Sequence, residues 1–253
     1  MSSLEITAIV FACVFGGVLV GVGIRRILPE HHLSADSRDV VKLGMGFIAT
    51  LTAMVLGLLI ATAKSTYDNQ NSAVKELSTR VIMLDRTLAV YGPETKEARG
   101  LLHTSVESTL HHLWPEDKKQ HADLTPGESR GTLEAMYEKI SALTPHTDTQ
   151  KIAKSRAMDL TVELAQTRLR LFAQQETSLP VPFFIVLVFW LIVLFAGYGT
   201  LTPTNATIVV VLTICAMSVS AAVFLMLELT TPFTGTIRIS SAPLHHAFTV
   251  LGQ

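Results

Sequence analysis

Four long stretches without charge punctuate this chain, and between the second and third lies a segment of ordinary soluble character. The first runs from Ile6 to Ile24 and ends at Arg25-Arg26, and the second runs from about Leu43 to Ala63, ending at Lys64. The third covers Pro180 to about Leu201, and the fourth about Ala206 to Leu227, followed by Glu228 and Pro232. A helix rises about 1.5 Å per residue, so about 20 apolar residues cross a hydrocarbon core of roughly 30 Å. No water reaches unpaired backbone groups there, so each stretch is expected to be a transmembrane helix. The first is too long for a signal-peptide core, and a basic pair follows it where a small-residue cleavage site would stand.

Between spans two and three the periodicity changes meaning. Apolar residues recur at Val74, Leu77, Val81, Leu84, Leu88 and Tyr91, in alternating steps of three and four. That is the seam of a helix packed against partners. No Pro or Gly occurs between Leu58 and Tyr91, so the helix of span two is predicted to run on until Gly92-Pro93 breaks it. A second helix is predicted over about 94–113, burying Ala98, Leu102, Val106 and Leu110, with Pro115 as its stop. Residues 116–131, with Pro126-Gly127, read as a loop. A third helix over about 131–143 would bury Leu133, Met136 and Ile140. Thr147 or Asp148 could cap a fourth over about 149–175, burying Ala153, Ala157, Leu160, Leu164 and Leu171. The expected fold is an all-α membrane protein: four transmembrane helices, with a helical extramembrane domain between helices 2 and 3. The expected divisions are 1–64 for spans one and two, 65–178 for the helical domain, 179–231 for spans three and four, and 232–253 for a C-terminal tail.

Composition agrees with that pattern. Hydrophobic residues make up 49% and charged residues 16%, against about 25% charged in soluble proteins; mean hydropathy is +0.41. The net charge of −1 gives no ground for a nucleic-acid partner. Cys13 and Cys215 both fall in apolar stretches and read as small apolar residues. The nine histidines include three adjacent pairs, His31-His32, His111-His112 and His245-His246. Neighbours on a helix point about 100° apart, whereas a metal pair favours i and i+4, so no metal is expected. No cofactor is expected either, and with no Walker loop, dinucleotide glycine motif, GxSxG or HExxH the chain does not read as an enzyme.

Span two carries the candidate site. Gly46, Thr50, Ala53, Gly57 and Ala61 step by four, three, four and four, forming one stripe of small residues. Such stripes serve close helix packing, the commoner cause, or line a pore where small side chains leave room for ions. The preceding Asp36-Ser37-Arg38-Asp39-Val40-Val41-Lys42 is densely charged. Asp36, Arg38, Asp39 and Lys42 are either the solvated start of the helix or a charged ring at a pore mouth. None of the spans holds Asp, Glu, Lys, Arg or His. Transporters usually keep an ionisable residue at mid-membrane, so a channel fits better than an ion-coupled transporter. The alternative is a non-conducting sensor or scaffold whose helical domain binds a ligand or partner.

Several motifs are similar to those of the bestrophin-like family of membrane proteins. They are Asp36-Ser37-Arg38-Asp39-Val40-Val41-Lys42-Leu43-Gly44, Leu84-Asp85-Arg86, Tyr91-Gly92-Pro93-Glu94 and Ile237-Arg238-Ile239-Ser240-Ser241-Ala242-Pro243-Leu244, spread along nearly the whole chain. The resemblance implies an oligomeric ion channel, a homo-pentamer in the bilayer with four spans per subunit and the second span lining the pore. The permeant ion stays open, and the only aromatic residue in span two is Phe47. Four spans put both termini on the side of the helical domain. Arg25 and Arg26 after span one argue for an external domain; the resemblance implies a cytoplasmic one in a multi-pass cell (inner) membrane protein, and that placement is preferred.

Overall fold

The computed structural model describes residues 2–27, 35–114, 126–175, 181–202 and 205–252; the side chains of 35–37, 126–130 and 172–175 also lie outside the description. His31-His32, Pro115, Pro180 and most of the expected 116–131 loop therefore fall outside it. The described residues form α1 (Ser3–Ile27), α2 (Ala35–Tyr91), a 3-10 turn (Pro93–Thr95), α3 (Lys96–Leu113), α4 (Pro126–Ser141), α5 (Asp148–Gln175), α6 (Val181–Leu201), α7 (Ala206–Leu229) and α8 (Ala242–Val250). The chain is an all-α membrane protein, and α1, α2, α6 and α7 are each long and apolar enough to cross a bilayer. It divides into two compact units, Met1–Ser65 with Ser178–Thr230, and Thr66–Thr177 with Thr231–Gln253.

In the membrane unit, α1 packs against α6 and α7. The buried face of α1 is Val10, Val14, Gly17, Val18 and Gly21. Glycine decides how near α6 comes. A Cβ on Gly17 would stand 2.9 Å from the Ile192 carbonyl oxygen, and one on Gly21 would stand 2.0 Å from that of Ala196. Only side-chain-free residues permit such approach, and in lipid this close packing replaces the hydrophobic drive that water would supply. The approach also brings Thr200 Oγ1 within 3.2 Å of Gly21 O, besides its own-helix acceptor Ala196 O at 2.9 Å.

The helical unit is built like a soluble domain. Every residue of the expected seam on α2, from Val74 to Tyr91, is buried, as are the expected faces of α3, α4 and α5. All of these side chains but Tyr91 and Ala153 share one core. Gly92, at φ 134 and ψ −175, turns the chain after α2 in a region open to glycine. The hydroxyl of Thr95 then sits 2.8 Å from both Leu88 O and Gly92 O, satisfying carbonyls at the end of α2. Of the two expected caps, Thr147 caps α5: its Oγ1 accepts from Gln150 N at 3.2 Å, while Gln150 Oε1 accepts from His146 N at 2.8 Å. Gln150 Nε2 also donates to Tyr91 O, tying the start of α5 to the end of α2. Lys154 closes the end of α4 by donating to Ser141 O and Leu143 O.

Two details differ from the sequence-based expectation. Helix α4 starts at Pro126, inside the expected loop, because proline suits a first helical turn that has no use for its missing N–H. The residues after α7 fold onto the helical unit. Phe233, Ile239, Leu244 and Ala247 belong to its core, Trp114 Nε1 donates to Ile239 O at 2.9 Å, and the Trp114 and Phe233 rings meet edge to face at 5.6 Å.

Candidate functional site

Helix α2 offers its own unit a narrow face inside the membrane segment. Met45, Thr52, Leu59 and Ala63 are buried there, and Met45 Sδ would lie 2.7 Å from a Cβ on Gly197 of α6. The stripe points elsewhere. Gly46, Thr50, Ala53, Gly57 and Ala61 are all exposed, and a Cβ on Gly46 or Gly57 would meet nothing within 4 Å. Among the described residues, close packing within the chain therefore does not account for these small residues. The hydroxyl of Thr50 donates to Gly46 O at 2.9 Å, as a threonine without an outside partner does in a helix. The surface left is smooth, uncharged and about as slim as a helix can present. Beside it stand Phe47, Met54 and Leu58, also exposed.

At the start of α2, Lys42 Nζ and Asp39 Oδ1 pair at 3.1 Å across one helix turn, both well exposed. Arg38 is half-buried on the same turn. The Asp36 side chain lies outside the described residues. An exposed i,i+3 pair adds little stability.

The helical unit holds two cations of unlike character, Arg99 half-buried and Arg168 buried. Arg99 grips Asp85 with two hydrogen bonds, Nε to Oδ1 at 2.8 Å and Nη2 to Oδ2 at 2.9 Å. This contact, outweighing burial, raises the guanidinium pKa above its ordinary value. Arg168 is 5% exposed and donates through Nη1 to Ser105 Oγ at 3.0 Å; burial pulls its pKa down to about 10. Among the described residues no group of three or more His, Cys, Asp or Glu could hold a metal ion.

Sequence reasoning found the stripe but missed the glycines that organise the membrane unit. Gly17 and Gly21 stand four apart in an apolar helix, which is the spacing that signals close helix contact. The Asp85–Arg99 pair had no such signal, because the two residues belong to different helices.

A profile of the Bestrophin-like domain matches residues 11–244. A crystal structure of a bacterial bestrophin homologue from Klebsiella pneumoniae, carrying one mutation, has a similar fold. The TM-score is 0.65 at 16% sequence identity, covering 94% of this chain and 96% of that one. No curated protein matches the chain.

Proposed function

This chain belongs to the Bestrophin-like domain family, and from that premise we propose that it is an oligomeric ion channel of bestrophin-like type, with α2 lining the pore. The observation that carries the reading is the exposed stripe of Gly46, Thr50, Ala53, Gly57 and Ala61, with open space at both glycines. One helix cannot enclose a path. Several copies, a pentamer by the family resemblance, turn their stripes to a common axis. Small uncharged side chains leave the lumen wide and let backbone and hydroxyl dipoles meet a partly dehydrated ion. Arg38, Asp39 and Lys42, with Asp36, then form charged rings at one mouth. The helical unit and both termini face the cytoplasm.

Purified protein in liposomes tests conduction. Ion flux above that of protein-free vesicles is expected, and Gly57→Trp should abolish most of it while the protein still inserts. Flux equal to empty vesicles under several salts and pH values ends the channel reading. If Gly57→Trp alters only expression or assembly, the stripe is a contact between copies and the pore lies elsewhere. Sidedness is tested by Lys151→Cys in a cysteine-free background. An impermeant thiol reagent should label it in lysed cells only; labelling in intact cells reverses the topology.

A non-conducting sensor or scaffold is the second reading. An open cleft in the helical unit, lined by Asp85, Arg99 and His103, favours it. Two-dimensional classes from electron microscopy separate the two: a closed ring around an axis fits a channel, and a monomer or dimer fits a sensor.

A further inference from the structure

The helical unit has a cleft of about 550 Å³ where the end of α2, the 3-10 turn, the first half of α3 and the chain after α8 come together. Its walls include Asp85, Gly92, Lys96, Arg99, His103 and Gly252. That volume lies within the range of small-molecule sites.

Its hydrogen-bond donors are arranged rather than scattered. Lys96, Arg99 and His103 fall at i, i+3 and i+7, so they share one face of α3. Asp85, the carboxylate lining the cleft, is taken up: Arg99 meets it with Nε and Nη2, and Gly252 N donates to it at 3.4 Å. Pairing through Nε and Nη2 leaves Arg99 Nη1 as the guanidinium nitrogen not committed to Asp85. The His103 ring is braced by Phe248, with centroids 4.3 Å apart. Space is kept by absent side chains, since a Cβ on Gly100 or Gly252 would meet nothing within 4 Å. One acid opposes this pattern. Glu94 Oε2 would lie 2.6 Å from a Cβ on Gly92, at the edge of the cleft.

The geometry points to a binding site for a small phosphate- or carboxylate-bearing anion. Its acidic group is held by Lys96, Arg99 Nη1 and His103, and Glu94 weakens its hold. A charge-assisted hydrogen bond to a guanidinium is the strong contact of such a site; the lysine adds attraction that salt can screen, and the histidine adds a ring N–H donor. The site requires neither a pore nor an oligomer, so it stands or falls apart from conduction.

The test is calorimetric titration of the full chain in detergent at fixed ionic strength, with inorganic phosphate in one arm and succinate in the other. Saturable one-site binding of at least one probe is expected, and the tighter probe identifies the acidic group. Losing the ammonium and the imidazole in Lys96→Ala/His103→Gln should weaken binding by about tenfold, given the modest worth of each exposed contact. Glu94→Gln should tighten it by about threefold. Thermal unfolding of each variant should match the parent, because all three side chains are outside the core. The proposal fails if neither probe binds, if the double variant binds as the parent does, or if Glu94→Gln weakens binding.

Discussion

The two halves of this molecule solve the same packing problem in opposite ways. In the helical unit the large apolar side chains are inside: Leu84, Leu88, Leu102, Met136 and Ile140 are all fully buried. In the membrane unit many are outside, among them Leu19, Phe47, Phe183, Phe189 and Ile214. Water penalises exposed hydrocarbon and lipid does not. Leucine size therefore stabilises one unit, whereas missing side chains at Gly17, Gly21 and Gly199 stabilise the other. A Cβ on Gly199 would stand 2.5 Å from Val18 O. Helix α2 contributes to both units, and its rule changes along its length. Up to Ala63 its narrow buried face meets α6 through Met45, and beyond Gln70 a continuous seam of large residues is buried.

That contrast can be broken by substitution. Gly21→Leu should be the most damaging single change, costing about 3 kcal/mol or more, because the backbone of α6 cannot yield to a clash of 2.0 Å. Unfolding in detergent with a graded denaturant measures it. The same exchange at Gly57, where a Cβ meets nothing, should leave stability within about 0.5 kcal/mol of the parent. If both changes cost alike, close approach is not what holds the membrane unit. In the helical unit, Leu102→Ala should cost about 3 kcal/mol by opening a cavity at a site with no exposure. Asp85→Asn comes next. It leaves Arg99 without its counter-charge, and since Arg99 is 25% exposed the expected loss is about 2 kcal/mol. The smallest effect belongs to the surface pair Lys139–Glu97 at 2.7 Å. Each partner shifts the other, lowering the Glu97 pKa and raising that of Lys139. The lowered carboxylate contributes stability above its unfolded value, lost as pH falls through the folded one. The raised ammonium contributes below its unfolded value, lost as pH rises through the folded one. Stability from this pair should therefore be flat between the two unfolded pKa values of 4.5 and 10.5, and Lys139→Met should flatten the acid limb of a pH–stability profile.

Where a single helix carries its own signal, the chain is legible. The four spans follow from uncharged length, and the seam Val74–Tyr91 follows from spacing. The stripe on α2 could be seen, but not its exposure, because small residues serve contact and space equally. Contacts between distant pieces left no such trace. Asp85 and Arg99 meet only because Gly92 and the 3-10 turn fold α3 back. The chain after α7 is short and mostly irregular, so nothing in its pattern revealed that Ile239 and Leu244 complete a core begun at Val74. A single histidine such as His103 carries no signal of its own, and it gains interest only from Lys96 and Arg99 on its face.

The helical unit is assembled from two pieces of chain that α6 and α7 separate. A ribosome working from the N-terminus delivers Val74 to Leu171 early, but Phe233, Ile239, Leu244 and Ala247 only after both remaining membrane helices have been made. Until then the nascent helices α2 to α5 expose the apolar surface that these late residues cover. Insertion of α6 and α7 into the bilayer thus becomes a precondition for finishing a domain outside it, and stalled synthesis would leave a sticky, incomplete intermediate for the cell's quality control to recognise.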